Sequence, residues 1–277
     1  MLIAHITDLH VSDDGAPVHD LVDTDAATRA VVAALNALDP APDVILATGD
    51  LTHDGDGIAA ERARALLESL RAPVLVCTGN HDRRESLRAA FGRHASDADD
   101  AWMAYTVEDF PVRLIALDAA TEDPMVGAMP AEQAEWLAAR LAEQPERPTI
   151  LFFHHPPFDT GVAWMDAIGI TSGREALWRA VVARPNILAI LSGHLHRPMQ
   201  GTWAGTAVYA APSVMDRVEF IGMRPDGTPE VAVSAAPGFA LHRTDGAAWR
   251  SQLCFVDGHP EDWSEALPDP YAEITFK

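Results

Sequence analysis

Residues 44–50 read VILATGD, an unbroken apolar run that stops at a Gly-Asp pair. A half-exposed strand alternates apolar with polar residues, whereas a strand covered on both faces is apolar throughout. The same form recurs outward in both directions. Leu2 to Thr7, Val74 to Cys77, Val112 to Leu117, Thr149 to Phe153 and Ile187 to Leu191 read as strands of this kind. Between them, Thr24 to Leu38, Ile58 to Leu70, Ala131 to Leu141 and Arg174 to Val182 carry apolar residues at helical spacing with few breakers. Thr24 or Asp25 can cap the first of these helices. The alternation predicts an α/β fold with buried sheets over the first two-thirds of the chain.

After Pro198 the character changes to β-branched runs: Ala207 to Tyr209, Val218 to Met223, Glu230 to Ser234, Phe239 to Arg243 and Trp249 to Val256. These read as antiparallel strands joined by hairpins, one of them turning at Asp226-Gly227-Thr228. The tail from Asp257, with Pro260, Pro268 and Pro270, reads as an extended strap. No internal repeat or low-complexity tract interrupts the pattern.

With 277 residues, 48% of them hydrophobic and 22% charged, the chain can bury a sizeable core as one large domain or a domain with a modest appendage. Lys and Arg total 20 against 41 Asp and Glu, a net charge of −21 that repels the backbone of long nucleic acids. The first residues, MLIAHITDLH, have no basic leader ahead of an apolar run, so the expected location is the cytoplasm. The apolar stretches fall far short of the roughly 20 residues of a membrane helix, and no membrane partner is expected. Cys77 and Cys254 read as buried thiols of a reducing compartment, not as a disulfide.

Five clusters of metal-binding residue types occur, each just after an apolar strand: Asp8 and His10; Asp50; Asn80, His81 and Asp82; His154 and His155; His194 and His196. Loops leaving strand ends are where α/β proteins build sites, so clusters distant in sequence can converge at one rim. Asp8 and His10 are two apart, so extended backbone would point both side chains the same way, and His194 and His196 repeat the spacing. Oxygen and imidazole donors without nearby thiols suit borderline ions such as Zn, Fe, Mn or Co in a catalytic centre better than a structural zinc knuckle. Each element alone has an ordinary reading, as a turn, a cap or a hydrogen-bonded imidazole. Their order and placement together favour a metal site.

The blocks Asp-x-His, Gly-Asp, Gly-Asn-His-Asp, a later His and Gly-His-x-His resemble, in that order, the pattern of the calcineurin-like metallophosphoesterases. The resemblance spans residues 1 to about 200. The phrases HHPPF and AWMDAIGI are further similar to the bacterial glycerophosphodiesterases grouped with class III cyclic-nucleotide phosphodiesterases. The resemblance implies a four-layer α-β-β-α sandwich of two mixed sheets with a small C-terminal β-rich cap, divided here as 1–235 and 236–277. It also implies that Asp8, His10, Asp50 and His196 hold one ion and Asp50, Asn80, His154 and His194 the other, with Asp50 bridging. Of the pair His154 and His155, the resemblance selects His154.

The cofactors so implied are two divalent or trivalent transition-metal ions, Fe, Mn, Zn or Co. The expected reaction is hydrolysis of small phosphodiesters, glycerophosphodiesters or 3′,5′-cyclic nucleotides, by a hydroxide between the metals. Asp50 and His81 are the catalytic candidates, His81 as proton donor to the leaving alkoxide. Asn80, His81 and His53 are candidate substrate contacts, and Asp82 is expected to hydrogen-bond an imidazole or cap the following helix. Trp164, Met165 and Asp166 read as a packing segment or a lid. His5 reads as a satisfied core residue, while His19, His94, His242 and His259 are assigned no chemistry. The protein serine/threonine phosphatases that share the metal pattern follow Gly-Asp with Asp-Arg-Gly, whereas this chain has GDLTHDGD, lacking that arginine. The remaining alternatives are a nuclease, which the acidic surface disfavours, and a non-catalytic scaffold, which the complete ligand set disfavours. The resemblance further implies assembly through the cap, so a homodimer or larger homo-oligomer is expected.

Overall fold

The structure is a computed structural model and describes residues 1–19, 22–92, 102–123, 125–182, 184–223, 229–234 and 237–256, with 217–223 and 229–234 described by their backbone. The turn at 226–228, the strap from 257, His94 and His259 lie outside the described residues.

The chain begins β1 (Leu2–Ile6), α1 (Thr24–Asn36), β2 (Val44–Ala47), α2 (Gly57–Leu67), β3 (Val74–Val76) and α3 (Arg84–Phe91). There follow β4 (Tyr105–Val107), β5 (Arg113–Ala116), β6 (Gly127–Ala128), α4 (Ala131–Glu143), β7 (Thr149–Phe152), α5 (Ala163–Ala167), β8 (Ile170–Ser172), α6 (Arg174–Val181) and β9 (Ile187–Ser192). Among the described residues after β9 the elements are strands: β10 (Met199–Trp203), β11 (Thr206–Ala210), β12 (Arg217–Met223), β13 (Pro229–Ser234), β14 (Gly238–Thr244) and β15 (Trp249–Phe255).

Two mixed sheets result, ordered β15-β14-β1-β2-β3 and β10-β11-β9-β7-β5-β4, with two small two-stranded pairs, β12-β13 and β6-β8. Ile3, Val44, Leu46, Leu114, Ile150, Phe152 and Leu191 fill the space between the large sheets. The outer face of the first sheet packs Ile6 and Ile45 against Val31 and Leu35 of α1, and that of the second packs Leu151 and Ile190 against Leu137 of α4 and Leu177 of α6. The four-layer α-β-β-α sandwich follows from these three interfaces. Strands β1, β2 and β3 run parallel in one sheet, and β5, β7 and β9 run parallel in the other.

The sequence reading sets 236–277 apart as a cap. Its described strands behave otherwise: β14 pairs antiparallel with β1, and β15 with β14. Burying Phe239 and Ala240 against the first sheet makes this stretch part of the sandwich. A smaller correction concerns α1, which is capped by Asp23, whose carboxylate accepts from the Ala26 amide at 2.8 Å, one residue ahead of the expected Thr24 or Asp25. Neither Cys77, buried, nor Cys254, half-buried, forms a disulfide.

His5 is buried as expected, but its partner was not foreseen: Nδ1 lies 3.2 Å from His242 Nε2, while Nε2 lies 2.9 Å from Thr48 Oγ1. His242 Nδ1 reaches Ser251 Oγ at 2.8 Å and its ring stacks on Trp249. A proton count with one N–H per ring satisfies every bond, so both imidazoles are neutral. Burial pushes His242 down to about 3, and burial with the neighbouring His242 lowers His5 as well.

Above the unfolded value of about 6.5 neither state takes up a proton; below it the unfolded chain does and the folded pair does not. Stability therefore falls as pH drops below about 6.5, by up to about 1.4 kcal/mol per pH unit for each imidazole. Urea midpoints between pH 6.5 and 4.5 should decline more steeply for the natural protein than for His242→Gln. Equal slopes would show that the pair does not set the acid limit.

Candidate metal centre

The parallel strands β1, β2, β3, β7 and β9 each end just ahead of one metal-type cluster. Five of the cluster residues leave the strand in the left-handed region: Asp8 (φ 54°), His10 (47°), Asp50 (49°), His194 (71°) and His196 (49°). The extended backbone assumed from the Asp-x-His and His-x-His spacing is therefore incorrect. Sharp turns, not strand alternation, aim these side chains. Each such conformation costs on the order of 1–3 kcal/mol and persists only when its surroundings over-determine it. Here the loops bind each other: Asp8 N donates to Gly49 O at 3.1 Å, His10 N to Asp50 O at 2.9 Å, and Asp8 O accepts from Met215 N at 3.1 Å.

Two glycines of the motifs explain themselves by close approach. A β-carbon on Gly79 would lie 2.1 Å from Asp50 Oδ1, and one on Gly193 would lie 1.8 Å from Thr7 Oγ1 and 2.7 Å from Asp8 Oδ2. Any other residue would push the carboxylates out of place.

Asp8, His10, Asp50 and His196 present ligand atoms that all lie within 4.8 Å of one another, and all four are buried. His196 Nε2 is 3.1 Å from His10 Nε2 and 3.4 Å from Asp8 Oδ1. His10 Nε2 is 3.7 Å from Asp50 Oδ2. On the other side of Asp50, His154 Nε2 lies 3.2 Å from the same Oδ2 and 3.0 Å from Asn80 Oδ1. His194 Nδ1 lies 3.1 Å from Asn80 Oδ1. The seven expected side chains thus gather into two groups with Asp50 reaching both, and His194 and His196 go to different groups.

The donor chemistry fits cations. Two carboxylates, four imidazoles and an amide oxygen converge in a buried space, and His194 Nε2 is buried without a hydrogen-bond partner. Nitrogen and oxygen ligands of this kind suit borderline first-row ions. The protonation pattern is polarised by the carboxylates. Burial pulls His154 down, but Asp50 outweighs it and pushes the imidazole up to about 9. For His194, burial and then the neighbouring His154 push it down to about 3. Burial disfavours the charged forms of Asp8 and Asp50, yet His196 and His154 respectively hold both below the usual carboxylate range.

Behind these groups stand residues that orient them. His154 Nδ1 donates to Thr48 O at 2.8 Å, leaving Nε2 for the centre. His196 Nδ1 bonds to Asp216 Oδ1, and Asp216 was not foreseen. It lies twenty residues beyond His196, in the run PSVMDR, and no spacing rule marks it. Its one sequence signal is a lone carboxylate after a Pro-Ser turn. Removing such an orienting carboxylate weakens metal binding or activity by roughly 10–100-fold. Asp216→Ala should therefore lose metal to a chelator at correspondingly lower concentration, and an unchanged titration would rule out the orienting role.

Asp82 neither bonds an imidazole nor caps α3, whose N-cap position is Arg83 without a side-chain bond. Its carboxylate instead accepts from the amides of Thr52 at 2.9 Å and Gly79 at 2.9 Å and from Thr52 Oγ1 at 2.8 Å, tying the β2 and β3 loops together. Burial, then the Asp50 charge, raises it to about 6 against those bonds.

His81 is half-buried. Its amide donates to Asp50 Oδ1 at 2.8 Å and its Nδ1 to His53 O at 2.8 Å, and its ring meets His10 edge-on at 4.7 Å. His53 Nδ1 sits 3.4 Å from His10 Nδ1, His19 packs edge-on against the His53 ring, and Asp54 is exposed. His155 lies behind the centre, its ring 4.3 Å from that of His194. Trp164, Met165 and Asp166 fall in α5, where Met165 packs on Leu195 and Asp166 binds the Thr160 amide at 2.6 Å.

Comparison with known proteins agrees with this geometry. The family model for calcineurin-like phosphoesterases matches residues 1–198. The chain is 31% identical to the glycerophosphodiester phosphodiesterase GpdQ of Enterobacter lignolyticus over 91% of this chain and 90% of that protein. It is 30% identical to the 3′,5′-cyclic adenosine monophosphate phosphodiesterase CpdA of Escherichia coli K12 over 76% of this chain and 75% of that one. Among solved structures, a dimetal phosphatase from Danio rerio superposes with a TM-score of 0.64 at 17% identity, covering 92% of this chain and 99% of that chain, and supports the fold.

Proposed function

Because the chain belongs to the calcineurin-like phosphoesterase family, we propose that its buried Asp/His centre hydrolyses small phosphodiesters, of the glycerophosphodiester or 3′,5′-cyclic nucleotide class. The observation that carries the reading is Asp50 standing between two donor groups, with Oδ2 at 3.7 Å from His10 Nε2 and 3.2 Å from His154 Nε2. Asp8, His10, Asp50 and His196 would hold one ion, and Asp50, Asn80, His154 and His194 the other. Two transition-metal ions bound there would supply Lewis-acid activation of water and of the phosphoryl oxygens.

The chain's own residues do the rest. Only two of the seven donors carry a negative charge, so a pair of divalent cations leaves the centre net positive and able to draw a phosphodiester despite a net chain charge of −21. Asp50 would offset the repulsion between two cations held there. His81 gives a proton to the leaving alkoxide, and His53 holds His81 by its carbonyl at 2.8 Å and contacts substrate beside Asn80.

The test is turnover of bis(p-nitrophenyl) phosphate with added Mn or Co, before and after chelation, followed by glycerophosphoethanolamine, cyclic AMP and a phosphomonoester. Metal-dependent turnover that favours the diesters supports the reading, and its absence favours a non-catalytic scaffold. Among the described residues no helix is long and apolar enough to cross a membrane. A cytoplasmic location belongs to the same proposal, supported by two unpaired thiols. So does a homodimer or larger homo-oligomer, supported by the exposed Leu253 and Phe255 on the edge strand β15. Light scattering in solution tests the assembly.

A further inference from the structure

Arg243 on β14 and Arg250 on β15 are direct cross-strand partners, so two guanidinium groups stand side by side on one face of the first sheet. Like charges directly opposite one another are unfavourable. Several other arginines hold a carboxylate, among them Arg29, Arg62, Arg84, Arg113 and Arg147. Among the described residues Arg243 and Arg250 are in no ion pair. Of the nearby acids, Asp43 is committed to the Leu2 amide at 2.6 Å, while Asp245 accepts from the amides of Ala247 and Ala248 at 3.0 and 2.8 Å and also feels the Arg250 charge without forming an ion pair with it.

Both arginines line a concavity of about 310 Å³ between the outer edge of the sheet and the end of α1. Gln252, two residues on from Arg250 and opposite Leu241, lines the same space. Leu2, Leu38, Pro40 and Leu241 make an apolar wall, and Asp39 also lines the space. We propose that this concavity binds a small phosphate monoester. Two planar forks of donors match the oxygens of a dianionic phosphate, whereas a single carboxylate leaves one guanidinium unpaired. The apolar wall takes the organic body, and Asp39 accepts from a hydroxyl or ammonium on it.

The site is separate from the metal centre. Leu2 opens β1 and Asp8 follows its far end, six residues and about 20 Å away along an extended strand. The two sites can therefore be read apart in one experiment.

Hydrogen–deuterium exchange on the metal-loaded protein, with phenyl phosphate as probe, tests the proposal. The expected result is saturable protection of residues 238–244 and 249–255. In Arg243→Gln and Arg250→Gln the half-saturating concentration at those strands should rise at least roughly tenfold, while phosphodiester turnover stays within about twofold of the natural protein. Arg250→Lys, which keeps the charge and loses the fork, should fall between the two and remains informative if either glutamine variant folds poorly. Protection confined to 47–54, 78–82 and 192–197, the loops of the metal centre, overturns the second site. So does an unchanged half-saturation at β14 and β15 in the arginine variants.

Discussion

Replacing Asp50 with asparagine should lower phosphodiester turnover by at least roughly 10³-fold and reduce the bound metal from two ions per chain to one or fewer. Oδ2 of Asp50 faces His10 on one side and His154 on the other, at 3.7 and 3.2 Å. Its Oδ1 is held by the His81 amide at 2.8 Å. The amide of asparagine preserves shape but removes the charge that offsets two cations. Charge stabilisation by bound metals contributes several kcal/mol to such reactions, and each 1.36 kcal/mol is tenfold in rate. Folding is not at stake, because the left-handed turn at residue 50 tolerates asparagine. Turnover, metal analysis and a thermal melt on one preparation check the prediction. Undiminished activity with two ions bound would remove the bridging role.

His81→Ala should separate substrates by their leaving groups. An alkoxide needs a proton as it departs, whereas a nitro-substituted aryloxide leaves without one. Nδ1 of His81 is fixed on the His53 carbonyl at 2.8 Å, so the opposite nitrogen, Nε2, is the one available to substrate. The ring is braced edge-on against His10 at 4.7 Å between centroids. General-acid assistance contributes typically 10²–10⁴-fold. Turnover of glycerophosphoethanolamine should fall by about that factor, with bis(p-nitrophenyl) phosphate affected far less and metal content unchanged. Equal losses on both substrates would mean that His81 supports the centre and does not deliver the proton.

Asp82 and Asp216 mark where motif reading stops. Asp82 sits inside the Gly-Asn-His-Asp block, yet its carboxylate serves the amides of Gly79 on its own loop and of Thr52 thirty residues away. Asp216 reaches His196 from beyond β11, through a turn that also binds Asp8 O by Ser213 Oγ at 3.0 Å. The contacts of Asp82 with Thr52 and of Asp216 with His196 span thirty and twenty residues, so periodicity carries no information about them. The pair His5 and His242, 237 residues apart, is hidden for the same reason. Short elements were also out of reach. The three-residue β4 and β8, the two-residue β6 and the five-residue α5 are too brief to build a period.

What the sequence by itself determined is the set of buried strands and covering helices, and the five clusters waiting at the strand ends. Apolar continuity and helical spacing are local properties, and a loop following a buried strand is the natural place for polar side chains. Only the tertiary structure decided how those clusters aim. Left-handed turns at Asp8, His10, Asp50, His194 and His196, stabilised by contacts between loops, replace the extended geometry that spacing implied. The tertiary structure likewise decided that β14 and β15 complete the first sheet, because strand pairing across more than two hundred residues is a long-range choice that no local pattern encodes.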